Sequence, residues 1–169
     1  MPASSFVDLS SRLVITLCAG EVTLAEVTAT VAEIRDHPGF HPDFRQLVDL
    51  SQVSNLRLHF NDLHHLHHAC DPFSNQGKRA VVACDNVTFG MSRMYQLITN
   101  SPQFEVFRSL PEAVRWLKWD ATLLEGVVHD DASKESLAFS SGGATYSIGG
   151  ALPANLVEFL KRLRKGTSG

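Results

Sequence analysis

The densest group of chemically active side chains is a cluster of four histidines within five consecutive positions. His64 and His68 are four residues apart, so on a helix they share a face and can provide two ligands of a zinc tetrahedron. A third ligand is then required, and Asp71 and Asn61 are weak candidates for it. We interpret the cluster as a mainly solvent-facing surface, with His67 near the apolar side, and predict no bound metal and no cofactor.

Nucleophilic and phosphate-binding motifs are missing from the sequence. It contains no G-x-S-x-G, no G-x-x-x-x-G-K-[ST] and no G-x-G-x-x-G. The three cysteines, Cys18, Cys70 and Cys84, are odd in number and far apart, with no C-x-x-C pair. A disulfide framework is therefore not expected, and a reduced cytoplasm fits. The sequence predicts a protein that is not an enzyme.

Polar residues follow two of the predicted strands. In open α/β sheets, ligands and partners bind beyond the carboxyl ends of the strands. Asp49 with Ser51 occupies one such end, and Asp85 occupies another. We take these three as candidate partner-binding or ligand-binding residues. The structural alternative is that Asp85 caps the next helix and that Asp49 ends a strand.

A further candidate surface is a stripe of Met91, Met94 and Tyr95 on one predicted helix. Methionine adapts to irregular shapes, so this stripe suits an apolar ligand pocket. It is also what an ordinary helix core would show. Arg93 falls opposite the stripe, where it is exposed and can pair with a carboxylate.

The elements that must position these residues alternate along the chain. Two short strands, Ser5 to Asp8 and Arg12 to Ala19, come first, and Gly20 is predicted to end the second. Thr23 and Glu26 have capping-box spacing and predict a helix start. Further strands are predicted at 45–50, 79–84 and 105–108, each followed by a helix. This order predicts an α/β fold: a mixed, mainly parallel sheet of about five strands with helices packed on it.

Composition limits the class of protein. The net charge of −3 over 169 residues gives no positive field for nucleic acid. No apolar run approaches the ~20 residues that a membrane span requires. We expect a soluble cytoplasmic protein with no nucleic-acid partner and no transmembrane segment.

The chain divides into three parts. Residues 1–120 are predicted to form the α/β domain, and residues 121–152 a flexible Gly/Ser-rich linker. Residues 153–169 are predicted as an amphipathic basic helix and tail, with an apolar stripe and surrounding basic residues that suit docking. The stripe consists of Leu156, Phe159, Leu160 and Leu163.

Several segments together resemble a known family. LVDLSQV, at Leu47 to Val53, resembles the strand-and-turn segment of STAS domains. With HPGFHPDF, RAVVAC, FGMSRMYQL and VFRSLPEAVRWL, the chain from Arg12 to Leu117 resembles the bacterial STAS-like group with a SpoIIAA-like fold. The resemblance implies a mixed sheet and a non-catalytic regulatory or protein-interaction role. It also implies a protein partner or self-association as a homodimer.

One departure from the STAS pattern affects the expected function. Classical anti-sigma antagonists carry a phosphorylatable serine in a D-S-S-G-like turn after this strand, whereas this chain has SNLRLHFND. Ser51 and Ser54 stand nearby, but neither is in that motif. We therefore expect no classical phosphoserine switch. The alternative function, by analogy with lipid-transfer domains, is binding of a small apolar molecule or lipid.

Overall fold

The computed structural model describes residues 2–120, 137–141, 144–147 and 153–167. Within them the strands are β1 (Ala3–Asp8), β2 (Leu13–Thr23), β3 (Arg45–Arg57), β4 (Arg79–Val82), β5 (Phe104–Phe107), β6 (Leu137–Ser141) and β7 (Ala144–Ser147). The helices are α1 (Leu24–Asp36), α2 (Phe60–His65) with a π-helical turn after it (Leu66–Cys70), α3 (Asn86–Thr99), α4 (Leu110–Leu117) and α5 (Ala154–Thr167).

One sheet joins all of these strands in the order β5-β4-β3-β2-β1-β6-β7. Strands β2 to β5 pair in parallel, and β1 pairs antiparallel with β2. These five strands form the mixed, mainly parallel sheet that the sequence predicts, and the fold class is confirmed. β6 pairs antiparallel with β1, and β7 with β6, so two further strands extend that edge.

Strands β6 and β7 lie within residues 121–152, where the sequence analysis predicts a linker and no strand. Serine and glycine dominate that stretch, so its local composition gives little β signal. β6 forms by pairing with β1, which is about 130 residues away in the chain, and β7 forms by pairing with β6. The remainder of 121–152 lies outside the described residues, and the division into domains stays a prediction.

The strand β2 continues past Gly20, so the prediction that this glycine ends it is wrong. Gly20 has a φ of 70°, and the pairing with β3 shifts register immediately after it. Glycine accepts this left-handed conformation without steric penalty, which allows a bulge within a continuing strand. β3 likewise extends beyond Leu50 to Arg57, because it pairs with the prolonged part of β2.

Helices cover both faces of the sheet. α4 and α5 pack on one face, where the predicted apolar stripe of α5 is buried as expected. α1, α2 and α3 cover the other face. The capping box between Thr23 and Glu26 forms at the start of α1 as predicted. Among the described residues, no helix is both long enough and apolar enough to cross a membrane.

Candidate functional site

A cavity of about 150 Å³ lies between the sheet and helices α1, α2 and α3, and it is partly open to solvent. Its walls are mainly aliphatic. The apolar lining includes Val22, Val27, Val31, Leu50, Leu56 and Leu63. This composition favours an apolar occupant over a strongly hydrated one.

The floor of the cavity is set by the register of the parallel strands. Gln46, Arg79 and Phe104 are direct neighbours on β3, β4 and β5. Thr16 and Val48 form the next row on the same face. Side chains two residues apart on a strand share a face, so both rows point towards the helices that enclose the cavity.

A buried ionic network lies in the cavity wall. The Arg79 guanidinium donates from Nη1 to Asp71 Oδ2 at 2.7 Å and from Nε to Gln46 Oε1 at 3.0 Å. The Tyr95 hydroxyl donates to the same Asp71 oxygen at 2.8 Å. The side chains of Arg79 and Asp71 are only 7% and 5% exposed. Such a pair persists out of water only when hydrogen bonds of this kind support it.

Aromatic rings hold the Arg79 guanidinium in place. Its central carbon lies 4.8 Å from the centroid of the Phe73 ring and 5.2 Å from that of Phe104. The Phe73 backbone amide also donates to Asp71 Oδ1 at 3.1 Å. Cation–π contacts and main-chain anchoring therefore fix both members of the ion pair.

The other titratable groups at the cavity are neutral near pH 7. Burial, and then the charge of Asp71, raise the pKa of Tyr95, which keeps its hydroxyl protonated as a donor. Burial raises the pKa of the Cys18 thiol to about 12, with smaller contributions from nearby carboxylates. A thiol of this kind is not a nucleophile at neutral pH. The charged lining residues are Asp71 and Arg79, whose charges cancel.

His67 lies at the edge of the network. Its Nδ1 atom is 3.9 Å from Asp71 Oδ2, too far for a hydrogen bond, and this buried atom has no hydrogen-bond partner in the described part of the chain. Burial lowers the pKa of His67 and outweighs the opposite effect of Asp71. The lowered pKa keeps the ring mainly neutral at pH 7.

Two of the other cluster histidines, His64 and His68, stack on each other, whereas His65 Nε2 lies 3.7 Å from Cys70 Sγ. The rings of His64 and His68 are stacked with centroids 5.8 Å apart, and His64 also contacts Phe60 edge-on. Within the residues that the structure describes, no three His, Cys, Asp or Glu side chains are grouped so as to hold a metal ion. Of the proposed third ligands, Asp71 is paired with Arg79, and Asn61 is exposed.

Asp49 and Ser51 lie on the opposite face of the sheet, under α5. Arg162 Nη1 is 2.8 Å from Asp49 Oδ2, as an ion pair without an aligned hydrogen bond, and donates to Ser51 Oγ at 2.7 Å. The Ser51 backbone amide donates to Asp49 Oδ1 at 2.9 Å. Asp49 does not end a strand, because β3 continues for eight residues beyond it. Both residues are therefore covered by a helix of the same chain.

The other candidate residues are dispersed. Asp85 is exposed and caps α3: its Oδ1 accepts from the Thr88 amide at 2.9 Å, and this hydrogen bonding lowers the pKa of Asp85. Arg93 is half-exposed and lies 3.3 Å from Glu105. Met91 and Tyr95 line the cavity, whereas Met94 is half-buried outside its lining.

The polar residues of the cavity floor are those that sequence reasoning missed. Gln46, Arg79 and Thr16 stand in segments interpreted as strands with apolar surroundings. A polar side chain within a strand that is buried on both faces must find a partner or line a cavity. Arg79 at the head of the apolar run RAVVAC was the available signal.

Comparison with known proteins finds similarity to solved structures. No family model matches the sequence, and no curated protein matches it. This chain is similar to a solved structure from Shewanella loihica PV-4, which is described as an uncharacterized protein of the DUF3478 family with a SpoIIAA-like fold. The match covers 62% of this chain and 83% of the Shewanella chain. The identity is 21% and the TM-score 0.43. The description of this neighbour names the same SpoIIAA-like fold as the sequence resemblance.

Proposed function

We propose that this chain is a non-catalytic binding domain that holds a small, mainly apolar molecule between helices α1 to α3 and the sheet. The observation that carries the proposal is the cavity itself, which has aliphatic walls and, within its lining, the buried ion pair of Arg79 and Asp71 with no net charge. Such a combination is typical of ligand sites, in which apolar walls give affinity and a few polar groups give orientation.

The cavity volume limits the size of the ligand. An apolar cavity of roughly 150 Å³ is large enough to bind benzene. A molecule of that size fits inside this one, whereas a lipid would have to extend out through the open side. The geometry therefore favours a small molecule over the lipid that the sequence alternative also includes.

The test compares a cavity-filling variant with a matched control. Val27→Phe adds bulk at a lining position of α1, and Val87→Phe makes the same change at an exposed position of α3. Native mass spectrometry of protein purified from cells, and thermal shift with a panel of small apolar compounds, should show binding for the wild type and Val87→Phe only. Equal behaviour of all three proteins would contradict the proposal.

A second candidate function is a regulatory protein-interaction module without the phosphoserine switch. It is supported by the contacts of α5, a basic amphipathic helix whose Arg162 pairs with Asp49 and donates to Ser51 on this face of the sheet. A labelled peptide of residues 153–169 tests it. The peptide should bind a full-length Phe159→Asp variant, in which α5 is loosened, and not the wild type. Failure to bind either protein would count against this function.

A further inference from the structure

The outward side of α3 combines exposed apolar side chains with a glycine. Val87 and Leu97 are 70% and 77% exposed, and they are two of the three exposed large hydrophobic residues in the part of the chain that the structure describes. Met94 lies between them half-buried, and Gly90 is exposed. At 3.6 residues per turn these four positions fall within an arc of about 80°. We call them the outer patch of α3, which points away from the side of the helix that lines the cavity at Ser92.

Gly90 has no structural role that the described residues explain. Among the described glycines Gly20 alone has a positive φ, so the backbone at Gly90 is one that any residue can adopt. A Cβ atom added at Gly90 would meet no atom within 4 Å. Glycine is less favourable than every residue except proline in a helix interior. Since the fold does not require glycine here, its lack of a side chain in the middle of the patch favours close approach by another molecule.

The outer patch is complementary to itself. Two α3 helices can pack antiparallel about a two-fold axis beside position 92, and Val87 of each copy then meets Leu97 of the other. Gly90 of each copy likewise meets Met94 of the other, because these two residues lie two positions on either side of 92 and the first pair lies five. A two-fold interface requires this reciprocity. The flexible Met94 side chain fills the space that the glycine leaves.

The charges at the helix ends favour the same antiparallel arrangement. Antiparallel packing places the partial positive charge at the start of one helix beside the partial negative charge at the end of the other. The last turn of α3 contains no basic residue of its own. Arg108 lies beside the start of α3, because its Nη1 donates to Asn86 Oδ1 at 3.0 Å and its guanidinium carbon is 3.9 Å from the Phe89 ring centroid. In the antiparallel pair this cation stands near the end of the second α3, where it is stabilising.

We propose that two copies of this chain associate as a two-fold dimer through the outer patch of α3, with the two α3 helices antiparallel. The contact is small, with three apolar side chains from each copy, so we expect a weak dimer with a Kd on the order of 100 µM. The dimer goes beyond the binding function and does not depend on it, because the patch and the cavity lie on different sides of α3.

Sedimentation equilibrium of the full chain, from about tenfold below to about tenfold above that Kd, tests the contact. Leu97→Asp places a charge in the interface and should raise the Kd at least about tenfold. Phe60→Asp is the matched control, because Phe60 is 51% exposed on α2 and lies outside the patch. This variant should change the Kd by less than about twofold.

Variants of Gly90 distinguish a contact at this residue from a glycine that the helix merely tolerates. Gly90→Met should clash with Met94 of the second copy and raise the Kd at least about tenfold. Adding Met94→Ala makes room for the new side chain, so the double variant should return to within about threefold of the wild type. Gly90→Ala should raise the thermal midpoint of the dilute, monomeric protein and still weaken the dimer.

A wild type that stays monomeric over the whole concentration range would overturn the proposal, and so would equal Kd values for Leu97→Asp and Phe60→Asp. A dimer that Gly90→Met leaves unchanged would also overturn it, because the contact would then lie elsewhere. If circular dichroism shows that Leu97→Asp does not fold, the Gly90 variants decide. A folded Leu97→Asp should respond to the panel of small apolar compounds as the wild type does, so the dimer can fail while the binding function stands.

Discussion

The two faces of the sheet differ in how they use the same strands. The face under α4 and α5 is packed by one continuous apolar cluster. The opposite face carries three separate smaller clusters, and between them lies the cavity with its polar floor. Neighbouring residues of β3 show the contrast, because Leu47 joins the large cluster and Gln46 lines the cavity.

This difference shows how one strand can provide both stability and a site. Successive side chains point to opposite faces, so a strand can dedicate one set to packing and the other to binding. The packed face holds its ionic group, Asp49, beneath Arg162 of α5. The cavity face holds its ionic pair in the wall of a partly open cavity. The face under α5 is covered by a helix, whereas the cavity on the other face is partly open to solvent.

The largest expected effect comes from breaking the ion pair of the cavity face. Arg79→Met leaves the Asp71 carboxylate buried without its cation, and we expect a loss of about 3–5 kcal/mol in the free energy of unfolding. Urea denaturation measures it. Arg93→Met, which removes an exposed ion pair with Glu105, should change stability by less than about 1 kcal/mol.

A double variant sharpens that result. Asp71→Asn added to Arg79→Met removes the uncompensated charge and should recover much of the lost stability. If the double variant is as unstable as the sum of the two single variants, the network does not act as a coupled pair.

A smaller effect is expected from the ion pair of the packed face. Arg162→Met should reduce the free energy of unfolding by about 1–3 kcal/mol, because Asp49 is 1% exposed and loses its partner. Lys165→Met, on the exposed side of the same helix, is the control and should have little effect. Equal stabilities of the two variants would show that α5 is not anchored at Asp49.

Thr16→Val should act in the opposite direction. Among the described residues the buried wild-type hydroxyl has no hydrogen-bond partner, so its replacement by a methyl group should leave the ligand-free protein equally stable or up to about 1 kcal/mol more stable. Thermal unfolding without ligand measures this. A clear loss of stability would mean that the hydroxyl has a structural partner.

The pH dependence of stability should arise in part from two histidines, the buried His37 and the partly buried His67. Burial lowers the pKa of His67 and of His37 in the folded protein. The unfolded chain, in which histidine titrates near pH 6.5, then binds more protons below that pH. The free energy of unfolding should therefore fall as the pH drops from about 7 to 5. His67→Gln should reduce this fall, and identical pH profiles would contradict the assignment.

Local signals in the sequence predicted the elements well where the cause is local. The capping box at Thr23 and the apolar stripe of α5 depend on residues within one or two turns, and both form as expected. Gly20 was misjudged because a glycine can end a strand or bulge within one, and pairing with β3 decides between them. The strands β6 and β7 were missed for the same reason, since β6 depends on pairing with the distant β1 and β7 on pairing with β6.

The cavity was not predictable from the sequence. Its floor brings together Thr16, Gln46 and Arg79 through strand register, and its walls come from three helices. Of the predicted stripe of Met91, Met94 and Tyr95, the first and the last line the cavity, but nothing local distinguishes a lining residue from a core residue. The difference depends on how closely the helices approach the sheet.

The most direct test of the contrast between the two faces is a two-dimensional NMR titration of the ¹⁵N-labelled chain with benzene, which a cavity of this volume can hold. The account predicts saturable shifts concentrated in amides of the cavity lining on α1, β2, β3 and β4, with the amides of α4 and α5 unchanged. Shifts centred on α4 and α5, or spread evenly over both faces, would contradict it.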